Sequence, residues 1–248
     1  VLPSLVMILV VTVASVLLAR GGLTSRATRP ADGVPSGHAS SRARASPSPR
    51  TDPALLSPAA ALSVLAALPV KGRAPLTGYT RAAFGQAWSD DTDDPGGHNG
   101  CDTRNDILRR DLSDLVLKPG TRGCVVLSGI LQDPYGNSTI HFVRGVGTST
   151  SVQIDHVVAL ADAWQKGAQG WSPQRRQAFA NDPRELLAVS GRLNMSKGDG
   201  DTATWLPPYK PGRCAYVARQ VDLKAAYGLW VTHAERDAMA GVLRRCGG

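Results

Sequence analysis

The residues best suited to chemistry are the pair Asp155-His156, at the end of the apolar run Val152-Gln153-Ile154, and further along Asn194 and Lys197, with Asp199 and Asp201 beside them. A carboxylate and an amide oxygen can hold one divalent cation, and an imidazole titrates near neutrality and can serve as a base. That combination suits hydrolysis of a phosphodiester: the base takes a proton from the attacking water, and the cation stabilises charge on the phosphorane and its leaving oxygen. Singly these signals are weak. Asp-His pairs occur by chance, and Asn-x-x-Lys-Gly-Asp can be a helix end with a C-cap glycine. Their force lies in their order within one stretch, Ser151–Pro208.

Several elements must position them. Ser151–Val158 reads as a strand. Adjacent strand residues point to opposite faces, so Asp155 and His156 share a site only if the backbone bends or ends there. Ala159–Gly167 has helical composition, with Leu160, Ala163 and Trp164 on one stripe. Ser172-Pro173 opens a helix over Gln174–Ala180, which Asn181-Asp182-Pro183 stops, because the residue before proline avoids the helical region. Leu186-Leu187-Ala188-Val189 reads as a short buried strand. Ser190-Gly191 then turns into a segment that puts Asn194 and Lys197 on one helical face.

Upstream, Ala60, Leu62, Leu65 and Leu68 predict a short helix. Tyr79, Phe84 and Trp88 read as core aromatics of another, capped by Thr80. Asp102 or Thr103 caps a third, with Ile107, Leu108, Leu112, Leu115 and Val116 toward the core. Cys124–Leu131, the turn Asp133–Asn137 and Thr139–Val143 predict a hairpin, with His141 on the face opposite Ile140 and Phe142. The acidic run Asp90–Asp94 lacks the glycine and closing glutamate of a calcium loop and reads as a polar loop. Downstream, Cys214–Tyr227 is a helix broken by Gly228. Thr232 and Glu235 form a capping box for a last helix, and Arg219, Lys224, Arg236, Arg244 and Arg245 read as solvent-facing charge.

The chain has 248 residues and a formal net charge of +8. Six basic and two acidic residues fall in the first sixty, and 22 and 18 in the rest, so each part carries +4. The remaining bias tolerates a polyanion without demanding one. Val1–Ala19 is almost wholly apolar and reads as a signal peptide or membrane anchor. From residue 20 to 60 the composition is that of a disordered Ser/Pro/Ala/Arg linker. One domain over residues 61–248 follows, with an α+β fold. The four cysteines, Cys101, Cys124, Cys214 and Cys246, include no C-x-x-C, which disfavours a zinc knuckle. In an exported chain they suggest two disulfides, with the local pairing Cys101–Cys124 and Cys214–Cys246 preferred among three connectivities.

Ile154-Asp155-His156-Val157-Val158-Ala159-Leu160, a Leu-Leu-Ala-Val strand, Asn194-Met195-Ser196-Lys197-Gly198-Asp199 and Trp205-Leu206-Pro207-Pro208 together resemble the HNH endonucleases. The wording is similar to an exported actinobacterial branch related to the C-terminal domain of GmrSD-type restriction enzymes. The resemblance implies a ββα-metal (HNH, or His-Me finger) core embedded in additional helices and a hairpin. It implies His156 as general base, Asp155 and Asn194 as ligands of one Mg²⁺ or Mn²⁺ ion, and Lys197 against a phosphate. The substrate would be nucleic acid, DNA rather than RNA, cut with low sequence specificity outside the cytoplasm, secreted or membrane-anchored. The chain departs from the pattern at Glu185, where the family's asparagine orients the base. A carboxylate there would raise the histidine pKa, and Asn181 could orient the ring instead. The rival readings are a catalytically silent nucleic-acid or cell-envelope binding module and an RNA-directed nuclease toxin; no protein partner is legible.

Overall fold

A computed structural model describes residues 55–246. The proposed signal or anchor (1–19) and nearly all of the linker lie outside the described residues. Among those described, no helix is long and apolar enough to cross a membrane.

Two small antiparallel sheets carry the fold, which is α+β. Strands β1 (Leu112–Leu117), β2 (Val126–Gln132) and β3 (Thr139–Val143) form one sheet in that order, and β4 (Val152–His156) and β5 (Leu186–Ser190) form the other. Helix α2 (Thr103–Asp111), capped by the Asp102 carboxylate on Asn105 N–H, precedes β1. The sequence continued that helix through Leu112, Leu115 and Val116. The chain instead becomes extended at Leu112, and Val116 is exposed. β-branched and leucine residues fit either period over so short a run.

Strand β5 is buried on both sides, which explains its nearly unbroken apolar sequence, Leu-Leu-Ala-Val-Ser. Val152, Ile154, Leu186 and Ala188 pack with Ile107, Leu108, Val126 and Phe142. Val189 belongs to the larger core, built with Val217, Val221 and Leu223 of α6 (Arg213–Tyr227) and Met239 and Leu243 of α7 (His233–Arg244). Helix α1 (Pro58–Ala67) closes this core with Ala61 and Leu65. It starts three positions before the expected domain boundary at 61, because Ser57 caps it and Pro58 stands in its first turn. The outer edge of β5 is covered by the end of α2: Arg110 donates to the Leu186 and Pro183 carbonyls, and Asp111 accepts from Ala188 N–H. These bonds satisfy backbone groups that a bare edge would leave open.

The helical half is tied together by buried charge. Lys166 Nζ lies 2.6 Å from Asp162, 2.9 Å from Asp201 and 2.6 Å from Glu235; Lys224 reaches Asp162 at 3.1 Å and Glu235 at 3.0 Å; Arg73 bonds Asp162 at 2.9 Å and Asp201 at 2.5 Å. Two buried lysines and the partly exposed Arg73 thus face three carboxylates, which is how a protein tolerates ions out of water. Burial alone would push Asp162 up, but Lys224 and Lys166 hold it down at about 2. Lys224 and Arg219, which the sequence places among the solvent-facing charges, are both buried. Disulfides join Cys101 to Cys124, across the start of α2 and β2, and Cys214 to Cys246, across α6 and the end of α7. Closing loops of 23 and 32 residues stabilises the fold by about 3–4 kcal/mol each in the chain-entropy account.

Candidate active site

The strand β4 ends at His156, and this ending lets two adjacent side chains serve one pocket. Val157 N–H bonds the Glu185 carbonyl, Val158 N–H bonds the Glu185 carboxyl, and Gln220 donates to Val157 O. The chain then leaves the sheet and enters α3 (Leu160–Gln165). A polar pocket of about 160 Å³ results, lined by Asp155, His156 and Asn194 together with Arg81, Asp199 and neighbouring backbone.

Helix α5 (Gly191–Lys197) follows β5 directly. Gly191 is needed at the junction, since a Cβ there would lie 2.0 Å from Thr150 O; Gly198 ends the helix at φ +53°, a conformation open to glycine. The helix aims Asn194 back at β4, where its Nδ2 donates to Gln153 Oε1 at 2.9 Å. Donating through Nδ2 assigns the other amide atom as an acceptor, so Asn194 Oδ1 is free in chemistry to ligate. Gln153 went unread in the sequence, although it shares a strand face with Asp155 at a spacing of two.

Asp155 is buried and held by two donors. Lys197 Nζ lies 2.8 Å from its Oδ1 and the Tyr135 hydroxyl 2.5 Å from its Oδ2. Tyr135 comes from the β2–β3 turn and is fully buried among Trp205 and Tyr216. Burial, with the Asp155 charge beside it, pushes its pKa well up, so it remains a donor. The turn residues Asp133–Asn137 read only as loop chemistry; an aromatic inside a turn was the one signal of a packed role. Lys197 also donates to His156 O at 2.6 Å. It is buried and does not line the pocket, so it fixes the Asp155 carboxylate where the sequence reading set it against a phosphate.

His156 Nε2 lies 3.1 Å from the carbonyl of Ala180, on α4 (Pro173–Asn181). A carbonyl only accepts, so Nε2 carries the proton and Nδ1 the lone pair in the neutral ring. Burial first, then the Arg81 and Lys197 charges, lower its pKa to about 3. Three expectations are corrected here, the first being that the ring titrates near neutrality, since burial holds it well below that range. Glu185 is not the ring's partner, and it does not raise the histidine pKa: its carboxyl turns to Val158 N–H, and the Ala180 carbonyl orients the imidazole. Asn181 does not take the role either, because its Nδ2 donates to Gln177 O. Trp88, read as a core aromatic on a helix, lies beyond the short 3₁₀ turn Arg81–Phe84 and stacks on His156, with ring centroids 5.9 Å apart and planes at 17°. His141 is exposed on β3, away from this pocket.

Glu185 is fully buried, with Oε2 lacking a hydrogen-bond partner. Desolvation pushes its pKa well above 4.5, against the pull of Lys197. A carboxyl whose folded pKa is raised stabilises the fold below its unfolded pKa, and that contribution is lost as pH rises through the folded value. Glu185→Gln is therefore expected to gain about 1–2 kcal/mol at pH 7 relative to the parent, with the gain vanishing below pH 4. Chemical denaturation at the two pH values measures it; a variant less stable at both would refute the assignment.

Among the described residues, no group of three or more His, Cys, Asp or Glu could hold a metal. A Mg²⁺-type ion needs less, since it keeps waters and takes substrate phosphate oxygens. Asp155 fits such an ion, because its two oxygens offer about four lone-pair positions and Lys197 and Tyr135 take two. Asn194 Oδ1 fits as the second donor.

A two-stranded antiparallel pair followed by a short helix, with an Asp-His end and a helical asparagine, defines the architecture of this site. The chain belongs to the family of GmrSD restriction endonuclease C-terminal domains, whose model matches residues 102–242. It is also 36% identical over 148 residues to a protein of Arthroderma benhamiae described as an uncharacterized secreted protein, a match covering 59% of this chain and 68% of that one. No solved structure matches.

Proposed function

We propose that this chain is a metal-dependent endonuclease that hydrolyses phosphodiester bonds of nucleic acid, DNA rather than RNA, through an HNH-type ββα-metal core made of β4, β5 and α5. The observation that carries the reading is the single polar pocket on which Asp155, His156 and Asn194 converge. His156 takes the proton of the attacking water at Nδ1 while Ala180 O holds Nε2–H, so the ring keeps its orientation as it becomes charged. Asp155 and Asn194 would hold a Mg²⁺ or Mn²⁺ ion, whose chemistry is to stabilise charge on the phosphoryl oxygens. Lys197 and Tyr135 fix Asp155, Gln153 fixes Asn194, and Arg81 offers a cation to the phosphate. Glu185 gives its carboxyl to Val158 N–H and the imidazole takes the Ala180 carbonyl, which favours the enzyme over a catalytically silent module.

The family's description as part of restriction endonucleases supports the nuclease reading. The two disulfides and the secreted relative support an extracytoplasmic location, with a domain from about residue 58 onward behind the export segment and linker. Relaxation of supercoiled plasmid tests the activity. Nicking is expected with Mg²⁺ or Mn²⁺ and is lost with a chelator. Traces indistinguishable from a protein-free blank under every metal would end the nuclease reading. Parallel digestion of duplex DNA, single-stranded DNA and RNA decides the substrate.

A further inference from the structure

A second, larger pocket of about 250 Å³ opens directly beside the polar one and shares Arg81, His156 and Leu160 with it. Its character is opposite. The walls are Ala82, Phe84, Ala87, Leu160 and the indole of Trp88, so apolar surface dominates. It falls below the roughly 300–1,000 Å³ of sites for drug-sized ligands, which suits a single planar ring system. Besides the shared Arg81 and His156, two polar residues line it: the exposed Gln86 and Asn181, the latter buried at 3% exposure, with Oδ1 lacking any hydrogen-bond partner while its Nδ2 is committed to Gln177 O. A buried carbonyl left open is costly unless something donates to it. Trp88 is held against His156 at φ +59°, a backbone state that bulky residues rarely adopt.

We infer that this pocket is a nucleobase subsite, receiving one unstacked base next to the phosphate that His156 faces, and that the preferred substrate is consequently single-stranded nucleic acid. The inference rests on the nuclease reading for its phosphate and adds the base. A base supplies a flat π face for the apolar walls and Trp88, and every base carries an N–H on its pairing edge for Asn181 Oδ1. Arg81, exposed on the rim common to both pockets, meets the backbone between them. In a duplex that base is stacked and paired and must first be extruded, whereas a single strand offers it freely. One buried acceptor and the amide of the exposed Gln86 do not fix a base-specific donor–acceptor pattern, so little base preference is expected.

The test is equilibrium binding of the full chain, with chelator present so that cutting plays no part. The probes are a fluorescein-labelled oligothymidylate and its abasic tetrahydrofuran analogue of equal length. The base-bearing strand is expected to bind about tenfold or more tightly, the size of one base–aromatic contact. Ala87→Trp, which fills the pocket from an exposed position, should abolish that difference and leave the affinity for the abasic strand unchanged. Ala82→Phe fills the pocket from another position should the first variant fold poorly. Equal binding of both probes, or a base-dependent difference that survives both filled variants, overturns the subsite. Metal-dependent nicking alongside equal probe binding leaves the nuclease reading standing and removes this one. Base-dependent binding without nicking does the reverse.

Discussion

Replacing His156 by alanine is expected to lower the rate of metal-dependent strand cleavage by about 10²–10⁴-fold, the usual contribution of a positioned general base, while the chain stays folded. The ring stands where β4 ends, its Nε2–H is committed to Ala180 O, and Trp88 covers one of its faces. No other described histidine lines the polar pocket, so no neighbour substitutes. The same variant should change the pH profile of stability in a set direction. In the parent, a histidine lowered from 6.5 to about 3 stays neutral when folded, while the unfolded chain takes up a proton below its own pKa. Its contribution is thus complete above pH 6.5 and is lost as pH falls toward 3. His156→Ala should flatten that slope. Initial nicking rates at saturating metal, with thermal melts at pH 7.5 and 5, measure both effects. A variant that cuts as fast as the parent would remove His156 from the chemistry.

The parts of this fold legible in the sequence are those where a local rule decides. The hairpin turn, the Ser172-Pro173 helix start, the Thr232–Glu235 capping box and the Gly228 stop all stand as expected, because each is satisfied by neighbours in sequence. Both preferred cystine pairs are present for a similar reason, since each closes a short local loop. The misses are long-range. Nothing local distinguishes Lys224, committed to Asp162 and Glu235, from an exposed lysine on an amphipathic helix. Tyr135 and Gln153 could not be assigned because their partners, Asp155 and Asn194, are fixed by tertiary contact. Trp88 packs against the smaller core as expected, but not on a helix: its spacing from Phe84 suggests one, and the chain abandons helical geometry after a single 3₁₀ turn. Glu185 illustrates the same limit: motif position placed a carboxylate beside the base, and the backbone points it at Val158 N–H.

Lys197→Met separates two roles that motif position alone cannot. A lysine waiting for phosphate would be exposed, and its loss would change stability by no more than about 0.5 kcal/mol. Here the ammonium is buried between Asp155 Oδ1 and His156 O. Methionine keeps much of the length and removes the charge, so Asp155 is left buried with only the Tyr135 hydroxyl, near a Glu185 that already resists ionisation. Breaking a buried pair from one side costs about 3–5 kcal/mol, a large share of the roughly 5–15 kcal/mol that holds a domain folded. Nicking should fall with it, because the carboxylate and the end of β4 lose their common anchor. A divalent cation would then become the chief counter-charge for Asp155, so added Mn²⁺ should raise the melting temperature more in the variant than in the parent. Asp155→Asn in the same chain should restore part of the lost stability by removing the orphaned charge. Melting curves for the four proteins of this cycle, with and without Mn²⁺, provide the measurement. A single variant that melts with the parent but cuts with a shallower salt dependence would return Lys197 to the phosphate.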